Sequence, residues 1–369
     1  MKHNRYRRIG LLLVISMLLI SSCGKSTVTP DETSTPKDPT SVIVPESDPV
    51  VEPKPVLRAP LTGLAWKEGA EENINQRPIA VMINNERKAR PQSGLSKADV
   101  LIEVLAEGGI TRIVAIYQSQ MDYTGEVGPV RSIRPYLIEL GESYGAVLTH
   151  AGASNDGYFI LQRQHKEHLD EITNAGAYFW RDSSRKAPHN LYTNLEKLLQ
   201  GSEKKGYSLT ADVPVLSFQQ EGTTSSASSL VKESAEKIDI TFYKSSAAVA
   251  YQYDANQHNY MRYVDGDPHV DKVTDEPLRA DNVIVAEAPV QVLDDKGRLA
   301  IDLNTAGEAI WFNKGQAVKG EWMRDGSGPI QFAVDGTLVE MGTGVTHLLI
   351  VPSDGGLENH VTWSINSVE

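Results

Sequence analysis

The chain has 369 residues, 40% of them hydrophobic and 23% charged, with a formal net charge of −12 and a single cysteine. That length buries a sizeable core without cross-links, and one cysteine excludes intramolecular disulfides and dithiol redox chemistry. The acidic balance argues against a nucleic-acid partner, because a phosphate backbone is bound by Lys and Arg that release counterions.

The first element is an export segment. Lys2, Arg5, Arg7 and Arg8 precede or open onto an apolar run over residues 9–20. A run of that length suits a signal peptide and is too short to span a bilayer as a helix. It ends in Ile20-Ser21-Ser22-Cys23-Gly24, which resembles a bacterial lipobox. That resemblance implies a lipoprotein signal peptide over residues 1–22, with Cys23 as the lipidated, palmitoyl-bearing N-terminus. The protein would then be anchored to the cell membrane on its extracytoplasmic face. The alternative is an ordinary signal peptide with an incidental cysteine. Residues 23–60 read as a disordered tether: eight of the 19 prolines fall there among Ser, Thr, Asp and Glu, a composition that buries too little apolar surface to fold.

Residues 61–205 read as a mixed α/β domain. Ile79–Ile83, Val100–Ala106, Ile113–Tyr117 and Ala146–Thr149 are short apolar runs with strand character. Ser96-x-x-Asp99 and Thr193-x-x-Glu196 resemble helix-start boxes. Between them, Pro135 opens a run with Leu137, Ile138, Leu140 and Tyr144 at near-helical spacing. Candidate chemical groups sit at the ends of these elements. His150 follows a strand and precedes Ala-Gly-Ala-Ser-Asn-Asp-Gly, a common place for a site in α/β folds. Arg131 and Arg134 flank Ser132 before the expected helix, an arrangement suited to an anion.

Catalysis, if present, would draw on His150, His189, Glu107 and Asp156. Ligand binding would draw on Arg131, Arg134, Arg112, Ser154 and Asn190, with Arg185 nearby in sequence. Each has a structural alternative. The arginines would pair with Glu126 or Glu103, His150 would be a satisfied buried histidine or a metal ligand, and Ser154 or Ser132 would bond the backbone. His165 and His168, three apart in an expected helix, read as a solvated face. No His-Glu-x-x-His, cysteine pair or Walker pattern occurs, so neither a metal site nor a cofactor is expected.

Pro78-Ile-Ala-Val-Met-Ile-Asn-Asn85, Ala89-Arg-Pro-Gln-Ser-Gly-Leu95, Glu107-Gly-Gly-Ile-Thr-Arg112, Gly128-Pro-Val-Arg-Ser-Ile-Arg-Pro135, His150-Ala-Gly-Ala-Ser154 and Ala187-Pro-His-Asn190 resemble the YerB-like lipoproteins of Gram-positive bacteria. That family has two consecutive domains of unknown function. The resemblance implies an exported two-domain architecture and supplies no activity or catalytic residue.

Residues 206–369 read as a mainly antiparallel β domain, giving an α+β chain overall. Strands are expected at 238–243, 248–254, 258–264, 281–288, 298–303, 308–313, 316–323, 329–335 and 346–351. Asp265-Gly266, Asp325-Gly326 and Asp335-Gly336 are hairpin signals. Tyr251, Tyr253, Tyr260, Tyr263, Trp311 and Trp322 are either a sugar-stacking face or core and cross-strand pairs. Three functions follow as expectations: binding of a cell-wall polymer or envelope protein, an enzyme acting on that wall, or a structural adaptor.

Overall fold

The computed structural model describes residues 56–219, 229–295 and 297–365. The export segment, Cys23, most of the tether and nearly all of the Ser/Thr-rich run at 222–229 lie outside the described residues. Pro55–Glu369 forms one compact unit, built mostly of sheet, with three α-helices among the described residues.

The first half contributes five main strands: β1 (Ile79–Asn84), β2 (Val100–Glu107), β3 (Ile110–Tyr117), β4 (Val147–His150) and β5 (His168–Asp170). β1 is buried at every position, as a continuous apolar run predicts for a strand covered on both faces. Helix α1 (Pro135–Glu142) starts at a proline, which presets φ where no N–H is needed. It lies close on β1 and β4 because Gly141 has no side chain: a Cβ there would meet Leu148 Cδ2 at 2.4 Å and Ala80 Cβ at 3.1 Å. Helix α2 (Asn155–Arg163) is capped by Ser154, whose hydroxyl accepts from Gly157 N. Helix α3 (Leu195–Lys204) is capped by Asn194, which accepts from Lys197 N. The expected box at Thr193 is displaced by one residue, because Thr193 Oγ1 donates to Tyr178 O instead. Ser96-x-x-Asp99 yields only the single 3₁₀ turn Leu95–Lys97.

The second half contributes β6 (Lys237–Ile240), β7 (Val249–Asp254), β8 (Asn259–Val264), β9 (Asn282–Ala288), β10 (Gly307–Asn313), β11 (Gln316–Met323), β12 (Gln331–Val334), β13 (Thr346–Pro352) and β14 (Val361–Ser364). These divide between two sheets. Strands β9 to β13 join the first-half strands in one mixed sheet, in the order β12-β11-β10-β9-β13-β2-β3-β1-β4-β5. The seam is the parallel pair β13–β2, running from Val100↔Thr346 to Val104↔Ile350. A chain boundary near residue 205 therefore does not interrupt the sheet. Strands β8-β7-β6-β14 form the second sheet and pack their Tyr251, Tyr260, Ile238 and Ile240 into the core shared with β9 and β13.

Asp265-Gly266 and Asp335-Gly336 turn with positive φ at both residues, as hairpins of this kind require. Asp325-Gly326 sits in the longer loop between β11 and β12. The sugar-stacking reading of the aromatics is corrected by burial. Tyr251, Tyr260, Trp311 and Trp322 are at most 3% exposed, and the indole N–H groups of Trp311 and Trp322 donate to Asn282 Oδ1 and Glu287 O.

Candidate functional site

Strands β1, β4 and β5 are mutually parallel, and their carboxyl ends are Asn84, His150 and Asp170. Segment 127–134 lies across those ends. Val130 bridges to Ile83, Arg131 N donates to Met82 O, Ala151 N donates to Arg131 O, and Ile133 bridges to Ala153. The backbone thus delivers Arg131 and Arg134 to the end of a parallel sheet, where α/β folds place ligands. The antiparallel neighbour β3 adds Arg112, which lies opposite Asn84 in register.

Three guanidiniums gather here around one carboxylate. Arg134 Nη2 donates to Glu107 Oε2 at 2.5 Å, and Arg112 Nη2 lies 3.8 Å from Glu107 Oε1. Arg112 is 1% exposed and its Nη1 donates to Ser132 O at 2.6 Å. Arg131, half-buried, has no side-chain hydrogen bond or ion pair among the described residues, and its charge bears on both Glu107 and Arg112. Burial alone would raise the Glu107 carboxyl. The charges of Arg134, Arg112 and Arg131 outweigh burial and hold it below the usual carboxylate range. Burial, with Arg134 and Arg131 alongside, brings Arg112 down to about 10. A guanidinium keeps its charge in proteins, so three of them against one carboxylate leave the cluster two positive charges in excess. The Nε atoms of Arg112 and Arg134 are buried without a partner.

Sequence reasoning offered Glu126 or Glu103 as partners that would neutralise the arginines. The structure gives neither to this cluster. Glu126 accepts from Ser93 Oγ and Lys272, and Glu103 is engaged by Arg262, Asn85 and Thr111. Uncompensated buried charge is costly, so Arg112→Met is expected to leave the fold at least as stable, with a gain on the order of 1 kcal/mol. The urea midpoint reads this directly; a loss of several kcal/mol would make Arg112 an ordinary structural arginine.

The other candidates separate. His189 Nδ1 meets Asn84 Nδ2 at 3.0 Å, and its Nε2 lies 3.6 Å from Glu86, so it stands at the end of β1 beside the register partner of Arg112. His150 does not join the cluster at the surface: it is fully buried. Its Nδ1 lies 3.0 Å from Gly152 O and therefore carries the proton, while Nε2 is buried without a partner. Burial pushes His150 down to about 4, against the pull of Asp170 at 3.6 Å. Its ring stacks on His168 at 5.3 Å. The expected solvated helix face at His165 and His168 is corrected here, since α2 ends at Arg163 and His168 begins β5.

Asp156 is exposed and shares with Arg134, Ser154 and Arg298 the lining of a cavity of about 90 Å³. Ser154 caps α2. Asn190 and Arg185 fasten the loop: Asn190 Nδ2 donates to Asp182 O and Arg185 O, and Arg185 donates to Ala89 O and Pro91 O. A separate cavity of about 400 Å³ beside α1, between Glu142 and Arg324, holds none of these groups. Among the described residues no three His, Asp or Glu side chains gather as a metal would need.

Sequence reasoning missed Asp170. It accepts from Gly152 N, Ile172 N, Thr173 Oγ1 and Tyr158 Oη and so shapes the loop after β4. Gly152 itself has φ of +77°, which favours glycine at that turn. The only signal was a short His-Leu-Asp strand, too brief to mark a hub. Asn84 and Glu86 were also missed as partners of His189.

The family described as a protein of unknown function, DUF3048, matches this chain twice: its N-terminal domain over residues 61–208 and its C-terminal domain over residues 238–348. The putative lipoprotein YerB of Bacillus subtilis is 36% identical over 307 residues, covering 83% of this chain and 90% of that protein. The crystal structure of the Bacillus subtilis YerB protein superposes with a TM-score of 0.73 at 34% identity, covering 84% of this chain and all of the other.

Proposed function

The chain belongs to the DUF3048 family, and from that premise we propose that it is a lipid-anchored extracytoplasmic protein that binds an anionic component of the cell wall. The anchor would be Cys23 and the binding groups Arg131, Arg134 and Arg112. The relative's name, putative lipoprotein, supports the anchor. One observation carries the binding reading: Arg134 and Arg112 both face Glu107 at a sheet's carboxyl end, and Arg131, whose charge also bears on Glu107, has no side-chain hydrogen bond or ion pair among the described residues. Arginines in such excess suit phosphate or carboxylate, which they engage bidentately. Fully paired arginines would have favoured the adaptor. Convergence of His150, His189, Arg131 and Asp156 would have favoured the enzyme, but His150 sits inside the protein, stacked on His168.

The test is co-sedimentation of the full chain, in detergent, with cell-wall sacculi that retain their polymers, with released fragments measured in the same tubes. Binding without release is expected, and Arg131→Ala should weaken it at least tenfold while leaving the thermal melt unchanged. Binding unaffected by Arg131→Ala would overturn the assignment of the site. Fragment release that depends on His189 would replace binding with catalysis.

A further inference from the structure

The excess charge in the arginine cluster says more than that the ligand is an anion. Three guanidiniums against Glu107 leave two positive charges unmatched in a cluster that is largely desolvated: Arg112 is 1% exposed, Arg134 9%, and Arg131 half-buried. In such a place charge mismatch costs far more than at a surface. A carboxylate or a phosphodiester brings one negative charge. A phosphomonoester brings nearly two at neutral pH, with three acceptor oxygens.

The donors left over match that count. Arg112 Nε and Arg134 Nε are buried without partners, and the whole Arg131 fork is free among the described residues, a guanidinium that offers N–H groups in a fixed plane. Access is the second constraint. The half-buried Arg131 is the member of the cluster that solvent reaches most readily, while Arg112, on β3, is 1% exposed. A terminal group can enter such a site end-on. A diester in mid-chain must leave by two sides and brings only one negative charge.

We infer that the cluster formed by Arg112, Arg131 and Arg134 recognises a terminal phosphomonoester rather than a carboxylate or an internal phosphodiester. This rests on the binding reading above and narrows it to a ligand class. Glu107 has the role of a counter-ion that holds Arg134 and Arg112 in place. The monoester would be clamped by Arg131, the guanidinium that solvent reaches, in the field of Arg134 and Arg112.

Isothermal titration of the full chain in detergent tests this with inorganic phosphate, glycerol 3-phosphate, dimethyl phosphate and acetate at pH 7.5. Vesicles containing phosphatidic acid form a fifth arm. Inorganic phosphate and glycerol 3-phosphate should bind at least tenfold tighter than dimethyl phosphate and acetate. Arg131→Ala should abolish the difference, and Arg131→Lys should restore part of it. Capture by the vesicles would assign the source of the monoester to a lipid headgroup and leave the class intact. Dimethyl phosphate or acetate binding as tightly as glycerol 3-phosphate would overturn the inference. If sacculi binding remains dependent on Arg131 in that case, the broader anion reading stands alone. No titration signal for any of the four anions, with sacculi binding unaffected by Arg131→Ala, would end both.

Discussion

Glu103→Ala is expected to destabilise the folded protein by about 3–5 kcal/mol, the cost of stranding a buried charge. The charge stranded is Arg262, 3% exposed, whose guanidinium has three separate engagements. Nη2 donates to Glu103, Nη1 donates to Tyr251 Oη at 2.7 Å, and Nε donates to His269 Nδ1 at 3.0 Å. The network continues: His269 Nε2 meets Gln92 Oε1, Gln92 Nε2 donates to Asn85 Oδ1, and Asn85 Nδ2 donates back to Glu103. Every one of these groups is buried, so loss of the carboxylate leaves several partners unsatisfied at once. Glu103, Asn85 and Gln92 come from the first half of the chain, and Arg262, Tyr251 and His269 from the second. Urea unfolding followed by tryptophan fluorescence should show one transition, shifted to lower denaturant. A shift worth less than about 1 kcal/mol would mean that the pair is not structural. The double variant Glu103→Leu, Arg262→Met should recover most of the loss, because replacing both charges removes the desolvation cost along with the attraction.

The second large effect is loss of stability in mild acid. His269 accepts from Arg262 and His347 lies 3.0 Å from Tyr251 Oη, which itself accepts from Arg262. Burial, reinforced by the Arg262 charge, holds both imidazoles well below the ordinary histidine value of 6.5, and burial holds His150 at about 4. Each is therefore neutral in the folded protein where it would be protonated in the unfolded chain. The unfolded state binds more protons, so stability rises with pH across that interval. The contribution is complete above about pH 6.5 and falls away as pH drops towards 4. It is worth on the order of 2 kcal/mol per histidine between pH 7 and 5.

Asp99, Asp281, Glu139 and Glu287, raised mainly by burial, act in the opposite sense as they protonate. The histidine effect is thus clearest just below pH 6.5, above the ordinary carboxylate range. Urea midpoints at pH 7.0, 6.0 and 5.0 should fall steadily, and His347→Gln should flatten the fall. A flat profile between pH 7 and 5 would show that these rings are protonated in the folded protein.

Much of the local structure was legible from residues alone. β1 and β2 are apolar runs, and the second-half strands alternate or carry Asp-Gly turns, so their positions follow from periodicity and turn chemistry over a few neighbours. The site was partly legible for the same reason. Arg131 and Arg134 stand beside a helix-starting proline, which is a short-range pattern, while the bridges of segment 127–134 to β1 and to the loop after β4 are what bring them to the end of β1. The expectation of an export segment and a lipidated Cys23 likewise rests on composition and order.

The tertiary structure alone decided which charges meet. Glu103 pairs with Arg262, 159 positions away, and Glu107 rather than Glu126 serves Arg134. It decided that His150 lies inside the protein against Asp170, while His189 reaches the end of β1. It also decided that β2 pairs with β13, merging two stretches of sequence into one sheet. Hydrophobic period and turn propensity act over a few residues, so the sequence determines local elements. Pairing of strands and charges across more than a hundred residues is set by the packing of a common core, and no local pattern encodes it.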